Sequence, residues 1–545
     1  MLAPRSRSAR TTGVLVSVAA VSTGMIGSTP ARAVTGPDAA AGAYTSVAQL
    51  NIGDRPSPRA CTAVLVDERW LATAASCFAT TPGEQVPAGK PAVKSTATLS
   101  DGRIIEVVEL LPRTDRDLTL ARLATPATAI ASVKRATTAT DAGATLTAAG
   151  FGRTRAEWVP GKLHTGAFTV DSTEATTLAI TGKGTDALCK GDTGGPLVNA
   201  SGELVAINSR SWQGGCLGTP VTETRTGAVS VRIDDLDDWI QQARALTPGW
   251  KAETLVQAGN TLYQGIRLAD GSWTGFTDVQ ARLGDIGGVR TAAAAGIDGD
   301  THVVVVGNDG RIRHARRTAD GRWGGYGDVG AVAGVLRNVT QVSTVSIGGD
   351  LHVVAVADAR LFHAVRHANG DWTGFGDVTS VLGSPGTITS VATASAGGRL
   401  HIAAVSGGKA FHASRGSDGN WAGWGDIGQV AGPIAPLTSV TMAGVGDNVH
   451  FIIATDQGAR QHHAIRFGDG TWQPFRELSG LLGNVQTTSL GAASVAGELQ
   501  LAVLTPDNRL LHTVRHADGN WAPPLPVATR GITGTFGSIA ITGTL

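Results

Sequence analysis

Tryptophan recurs through the second half of this chain at an almost fixed period. It stands at Trp273, Trp323, Trp372, Trp421, Trp472 and Trp521, at intervals of 50, 49, 49, 51 and 49 residues. Two residues before each Trp an Asp-Gly or Asn-Gly pair closes, at Gly271, Gly321, Gly370, Gly419, Gly470 and Gly519. Such a pair accommodates the positive φ angles of a tight hairpin turn. Two alternating runs precede it, as in Leu351–Val356 and Arg360–Arg366, and another follows, as in Thr387–Ala394. Four short strands in ~49 residues is the size of one propeller blade, and a lone blade cannot bury its faces. The ends point to ring closure. The first unit starts at Glu253 with its second strand, and a spare strand, Gly537-Ser-Ile-Ala-Ile-Thr542, follows the last unit. Pairing the two removes both free edges. The expectation is six blades over residues 248–545, with seven less favoured.

The blade pattern also accounts for the composition: 73 glycines, and twelve Trp against three Tyr. The turn-Gly-x-Trp element resembles that of the tectonin-like and fucose-lectin-like β-propellers. That resemblance implies a glycan ligand on the propeller. Candidate binding residues are Trp323, Trp372 and Trp421 with the recurring His314, His363, His412, His463 and His512, and with Arg316, Arg366, Arg415, Arg466 and Arg515 nearby. Aromatic faces beside Arg and His donors suit sugar C–H faces and hydroxyls. Two plainer readings stay open: inter-blade packing and turns for the Trp, Gly and Asp positions, and a solvated outer face for the His and Arg positions. The first unit has Gln264 where the others carry His, and the last has Pro523-Pro524, so any sites are unequal. The spacing suggests no metal ligands, and no cofactor is expected.

Charge excludes some partners. With 45 basic and 44 acidic side chains, the net charge of +1 leaves no broad basic face for nucleic acid. Arg5, Arg7 and Arg10 precede the apolar-small stretch Thr12–Gly27, and Ala31-Arg32-Ala33 reads as a cleavage site. Residues 1–33 are therefore expected to be a secretory signal peptide, too short in its apolar run to span a membrane. The expected location is secreted and extracellular, with no membrane span, where cysteines can pair.

Residues 34–247 read as short alternating strands and then one amphipathic run, Ile233–Leu246. Leu236, Ile240 and Ala243 fall on one face of that run with Trp239, and acidic residues fill its first turn. Three segments stand out: Cys61…Trp70-Leu-Ala-Thr-Ala-Ala-Ser-Cys77, Asp117-Leu-Thr-Leu-Ala-Arg-Leu123, and Cys189-Lys-Gly-Asp-Thr-Gly-Gly-Pro-Leu197. In order and spacing they resemble the catalytic segments of trypsin/chymotrypsin-like serine peptidases, and Gly150-Phe-Gly-Arg-Thr154 is similar to another landmark of that family. The whole chain is then all-β, a chymotrypsin-like double β-barrel followed by a six-bladed β-propeller.

The resemblance implies disulfides Cys61–Cys77 and Cys189–Cys216. It implies an oxyanion hole from the backbone N–H groups of Gly191 and Thr193, and a specificity pocket with Ala187 at its base. It also implies an ion pair between Asp192 and a new N-terminus, which here is Val34. Asp186, one residue from the pocket base, is expected to be a surface carboxylate, and either Ser209 or Ser211 to back Asp117. The departures decide the chemistry. Ser76 stands where the family has its general base, and Thr193 where it has its nucleophile. Asp117 alone of the triad remains. A neutral hydroxyl has no basic site of matched pKa, and an aspartate without an imidazole has nothing catalytic to orient. The primary expectation is a secreted, catalytically impaired peptidase homologue with a peptide or protein in its cleft, joined to a propeller that binds glycans or surfaces. Its alternatives are an active endopeptidase with Thr193 as nucleophile, and a structural platform for protein binding. Substrate, glycan and oligomeric state are not legible.

Overall fold

The computed structural model describes residues 37–53, 59–81 and 83–545. The leader expected over residues 1–33, and Val34, lie outside the described residues.

Two closed six-stranded barrels come first. The first is formed by Val47–Ile52, Arg59–Asp67, Trp70–Thr73, Ser95–Thr98, Ile104–Pro112 and Thr119–Leu123. The second is formed by Thr145–Gly150, His164–Thr173, Thr177–Gly182, Pro196–Val198, Leu204–Ser211 and Gly227–Arg232. Closure leaves no free strand edge, and inward positions fill each interior with Leu, Ile, Val and Ala. A third cluster joins Trp70 and Leu120 of one barrel to Ile207 and Val231 of the other. Helix α1, Asp237–Ala245, lays Leu236, Ile240 and Ala243 into that cluster, the face its periodicity predicts.

Six four-stranded sheets follow, and the ring closes as the chain ends imply. Strand Phe536–Thr544 pairs antiparallel with Lys251–Ala258 and supplies the first blade's innermost strand. Ala, Gly, Ser and Thr of the six innermost strands line the central channel. Small side chains are needed there: a Cβ on Gly296 or Gly444 would strike a backbone carbonyl of a neighbouring blade. The six turn glycines all have φ between 83° and 99°. The residue before them turns its side chain onto the chain two residues on. Oδ1 of Asp270 accepts the N–H of Ser272 at 2.8 Å, and Oδ1 of Asn369 that of Asp371 at 3.0 Å.

The propeller docks on the barrels through α1. Arg244 donates from Nε to Oδ2 of Asp67 at 2.7 Å, from Nη1 to the Trp273 carbonyl at 3.2 Å, and from Nη2 to Oγ of Ser272 at 3.0 Å. Ala245 packs beside this clamp on Ile266 and Leu268. Among the described residues no helix is long and apolar enough to cross a membrane.

Candidate functional site

The cleft is built on two disulfide-anchored loops. Cys77 closes the short helical turn Ala75–Cys77, and its bridge to Cys61 ties that turn to the adjacent strand. Ser76, exposed on the turn, donates its backbone N–H to Oδ1 of Asp117 at 2.7 Å and its hydroxyl to Oδ2 at 2.9 Å. The hydroxyl of Ser209 donates to the same Oδ2 at 2.6 Å. Ser211 instead donates to the Leu188 carbonyl at 2.6 Å. A bulge between Asn208 and Arg210 sets which hydroxyl turns toward Asp117. Asp117 is thus held by three donors, none of them an imidazole. His164, the single histidine of this half, sits buried at the start of its strand, 3.5 Å from Asp38 and paired across to Gly150.

The second loop runs from Cys189, bridged to Cys216, to Gly195. Thr62 holds it from below: its Oγ1 donates to the Gly191 carbonyl at 2.8 Å and its N–H to the Thr193 carbonyl at 2.9 Å. Gly194, at φ +86°, lies so close to Thr73 and Thr62 that no side chain fits. Among the described residues no acceptor takes the N–H groups of Gly191 or Thr193, and no hydrogen bond joins Thr193 to Ser76. The two N–H groups expected to serve as oxyanion donors are thus left open by the described residues, and Ser76 and Thr193, expected at the base and nucleophile positions, are not joined.

Asp192 is fully buried and accepts the N–H groups of Gly152 and Cys189, each at 2.8 Å. Burial pushes its carboxyl up to about 7 against the lowering effect of those two bonds. A Cβ at Gly150 or Gly152 would collide with this carboxylate. The first described residues, Pro37 and Asp38, run nearby. The Pro37 carbonyl accepts the N–H of Thr165 at 3.0 Å, and Asp38 bridges to His164, whose cross-strand partner is Gly150.

Ala187, expected at the base of the specificity pocket, is 1% exposed and packs with Cys189 and Cys216. Asp186 is half-buried and accepts the Ala167 N–H at 2.8 Å, which corrects the expectation of a surface carboxylate. A groove beside the cleft is lined by Asp171, Thr181, Arg210, Trp212, Arg225 and Val229. There Arg225 stacks 3.6 Å from the centre of the exposed Trp212 ring. The one signal of this groove in the sequence is Trp212, an aromatic residue between Asn208 and Cys216.

Apart from the exposed Arg316, the propeller candidates are not on a solvated outer face; they meet at the seams between blades. Four of the five third-strand histidines pair with a partner on the second strand: His302 with His314, His352 with His363, His401 with His412 and His450 with His463. The nitrogens of each pair are 2.9–3.0 Å apart and the rings are stacked. The second-strand histidines were missed, although each lies 11 to 13 residues before its partner. The repeating Trp of the next blade then sets its edge against the pair, Trp372 at 5.8 Å from His314 and Trp421 at 5.8 Å from His363. The ring closes with Trp273 at 5.4 Å from His512. Trp323 stands at the first seam, against the first blade's Gln264. The arginine of this set in the second blade is Arg317, not Arg316. It bridges to Trp323 as Arg366 does to Trp372, and it lies under the turn glycine in the same way.

Burial, followed by the charge of Arg366, lowers His302 to about 4. Burial, then His302, lowers His314 to about 3. The pairs His352 and His363, His401 and His412, and His450 and His463 are lowered alike, with Arg415, Arg466 and Arg515 in the corresponding place.

Residues 33–240 match the family model described as Trypsin. Among solved structures, one named "Structure of GrC" aligns at 20% identity over 38% of this chain and 98% of its own, with a TM-score of 0.31. The match over residues 33–240 with the two closed barrels gives a trypsin-like domain, and the closed ring of six sheets a six-bladed β-propeller after it.

Proposed function

We propose that this is a secreted, catalytically disarmed peptidase homologue. Its cleft, within a domain spanning residues 34–247, holds a peptide or protein segment without cutting it. Its propeller, residues 248–545, carries a ligand site for glycans or surfaces. One observation carries the reading: the Asp117 carboxylate is taken up by Ser76 and Ser209, and among the described residues no base is bonded to Thr193. With the imidazole gone, an oxyanion site and binding alone supply only ~10³–10⁴ over water, too little for a working peptidase. The apolar base at Ala187 argues against recognition of Lys or Arg side chains. The leader-like N-terminus and the two disulfides support export.

The test is incubation of the chain starting at Val34 with casein and a broad-specificity serine-peptidase probe, from pH 5 to 10. The expected result is no cleavage above the Asp117→Ala, Thr193→Ala control, and gained cleavage in the Ser76→His, Thr193→Ser variant. Turnover by the parent chain above that control would overturn the reading. A glycan array probed with the full chain tests the propeller half.

A further inference from the structure

Four strands of the second barrel carry a groove on their outer face. Side chains alternate along a strand, so every second residue of Leu204–Ser211, Gly227–Arg232, Thr177–Gly182 and His164–Thr173 looks away from the barrel interior. The register sets the outward residues in two rows. Arg210, Val229 and Ala179 form one, and Trp212, Gly227 and Thr181 the other. A bulge between Val170 and Ser172 brings Asp171 to the far end of the rows. Small residues fill the middle, Val229, Gly227 and Ala179, while taller ones stand at the ends. The cavity between them is about 680 Å³.

The polar groups around this groove are matched, with one exception. Arg225 takes one face of the Trp212 ring at 3.6 Å, and its Nε donates to Oε1 of Glu223 at 2.8 Å. Trp212 stays 55% exposed. Asp171 accepts the Thr181 hydroxyl at 2.7 Å. Arg210 is exposed, and among the described residues its guanidinium has no hydrogen-bond or ion-pair partner. The unmatched charge of the groove is therefore positive. Arg210 and Asp171 stand three strand spacings apart, about 14 Å.

The kind of ligand follows from what the groove offers. The strands beneath it are all paired within a closed barrel, so its floor has no free backbone edge for a partner's β-strand. Recognition falls to side chains: a tryptophan ring, a guanidinium fork and a carboxylate–hydroxyl pair. A sugar presents apolar C–H faces to an aromatic ring and hydroxyls to Asp and Thr. A carboxylate on the sugar matches the free guanidinium in two parallel hydrogen bonds. One sugar ring is too short to reach from Arg210 to Asp171; a chain of two or three spans it.

We propose that this groove binds a short acidic saccharide. Its carboxylate sits on Arg210, one ring packs on Trp212, and hydroxyls at the other end reach Asp171 and Thr181. The site lies outside the propeller and makes no use of Ser76, Asp117 or Thr193, so it stands or falls independently of the reading of the cleft.

The experiment uses the full chain labelled with 5-fluorotryptophan and follows the Trp212 fluorine resonance, assigned by Trp212→Phe. Reading this one resonance separates the groove from any saccharide site on the propeller. Trigalacturonate is the probe, and its methyl ester, which keeps the rings and loses the charge, is the control. Trigalacturonate is expected to shift the resonance saturably, with the ester at least about tenfold weaker, the scale of a charge-assisted hydrogen bond. Arg210→Gln is expected to weaken trigalacturonate by a similar factor while leaving the ester unchanged, a split that a loosened fold would not produce. Arg210 is exposed, so the variant is expected to fold. No saturable shift with trigalacturonate, equal affinity for acid and ester, or unchanged affinity in Arg210→Gln would overturn the proposal. Tighter binding of a tetraglutamate peptide at the same resonance would also overturn it, by giving the groove to an acidic protein segment.

Discussion

Nδ1 of His352 lies 3.0 Å from Nε2 of His363, two buried imidazoles sharing one hydrogen between adjacent strands of a blade. The shared hydrogen needs the accepting ring neutral, and protonation of both rings breaks it. Arg415 of the next blade faces them, with Asp350 and His367 on their own blade.

Acid is therefore expected to loosen the propeller. Burial, then the neighbouring charge, lowers His352 to about 4 in the folded chain, whereas an unfolded histidine titrates near 6.5. Between these values the unfolded chain binds more protons, so stability is complete above about pH 6.5 and falls as pH drops toward 4. His352 alone contributes on the order of 3 kcal/mol to that loss. His352→Gln copies the Gln500–His512 arrangement of the sixth blade and is expected to flatten the melting temperature between pH 6.5 and 4. Parallel curves for variant and parent would remove the histidine pairs from the account of acid lability.

The carboxylate of Asp117 is expected to act in the fold rather than in turnover. Asp117→Ala leaves the Ser76 N–H and the hydroxyls of Ser76 and Ser209 without their acceptor, and a cost of about 1–3 kcal/mol follows. Denaturant unfolding measures this directly. Ser209→Ala removes one of the three donors and is expected to cost less. A neutral Asp117→Ala would mean that solvent satisfies the serines equally well.

Much of this was legible because the information was periodic. A Trp every 49 to 51 residues with a turn glycine two positions ahead defines a blade, and the missing first strand with a spare last one defines closure. What was lost depended on register within a strand. Counting back six residues from each Trp gives Arg267, Arg317, Arg366, Arg415, Arg466 and Arg515, and that count separates Arg317 from Arg316. The choice between Ser209 and Ser211 was beyond pattern, because a bulge between Asn208 and Arg210 shifts which side chain faces Asp117. The histidine pairs were missed for another reason: a polar residue in an alternating strand reads as solvent-facing until its neighbouring blade is placed over it.

Asp192 offers a test of the new N-terminus. With burial raising its carboxyl to about 7, its folded pKa lies above the unfolded value. Alone, it costs stability as pH rises from about 4 through 7. An ammonium at Val34 would reverse that cost. The chain starting at Val34 is expected to exceed one carrying an extra N-terminal residue by about 3 kcal/mol at pH 8, the scale of a broken buried pair. The gap is expected to narrow at pH 4. Coincident unfolding curves at pH 8 would remove Val34 from the role.

Arg244 is the clamp between the barrels and the propeller. Its guanidinium joins Asp67 of the first barrel, Gln241 of α1, and both Ser272 and the Trp273 carbonyl of the first blade. The Asp67 and Arg244 side chains are 17% and 16% exposed, so the pair is shielded from solvent more than a surface ion pair is. Arg244→Ala leaves the Asp67 carboxylate with only the Arg69 N–H, at 3.2 Å, and frees the blade turn. A loss of about 1–3 kcal/mol is expected, the cost of leaving a buried polar group unpaired. The apolar contact of Ala245 with Ile266 and Leu268 remains in the variant, so the halves stay associated but open more often. Limited proteolysis reads that opening at the connection Leu246–Trp250, where cleavage is expected to rise several-fold while fragments from within the barrels and blades do not increase. Unchanged cleavage there would show that the apolar contact alone sets how the two halves are held.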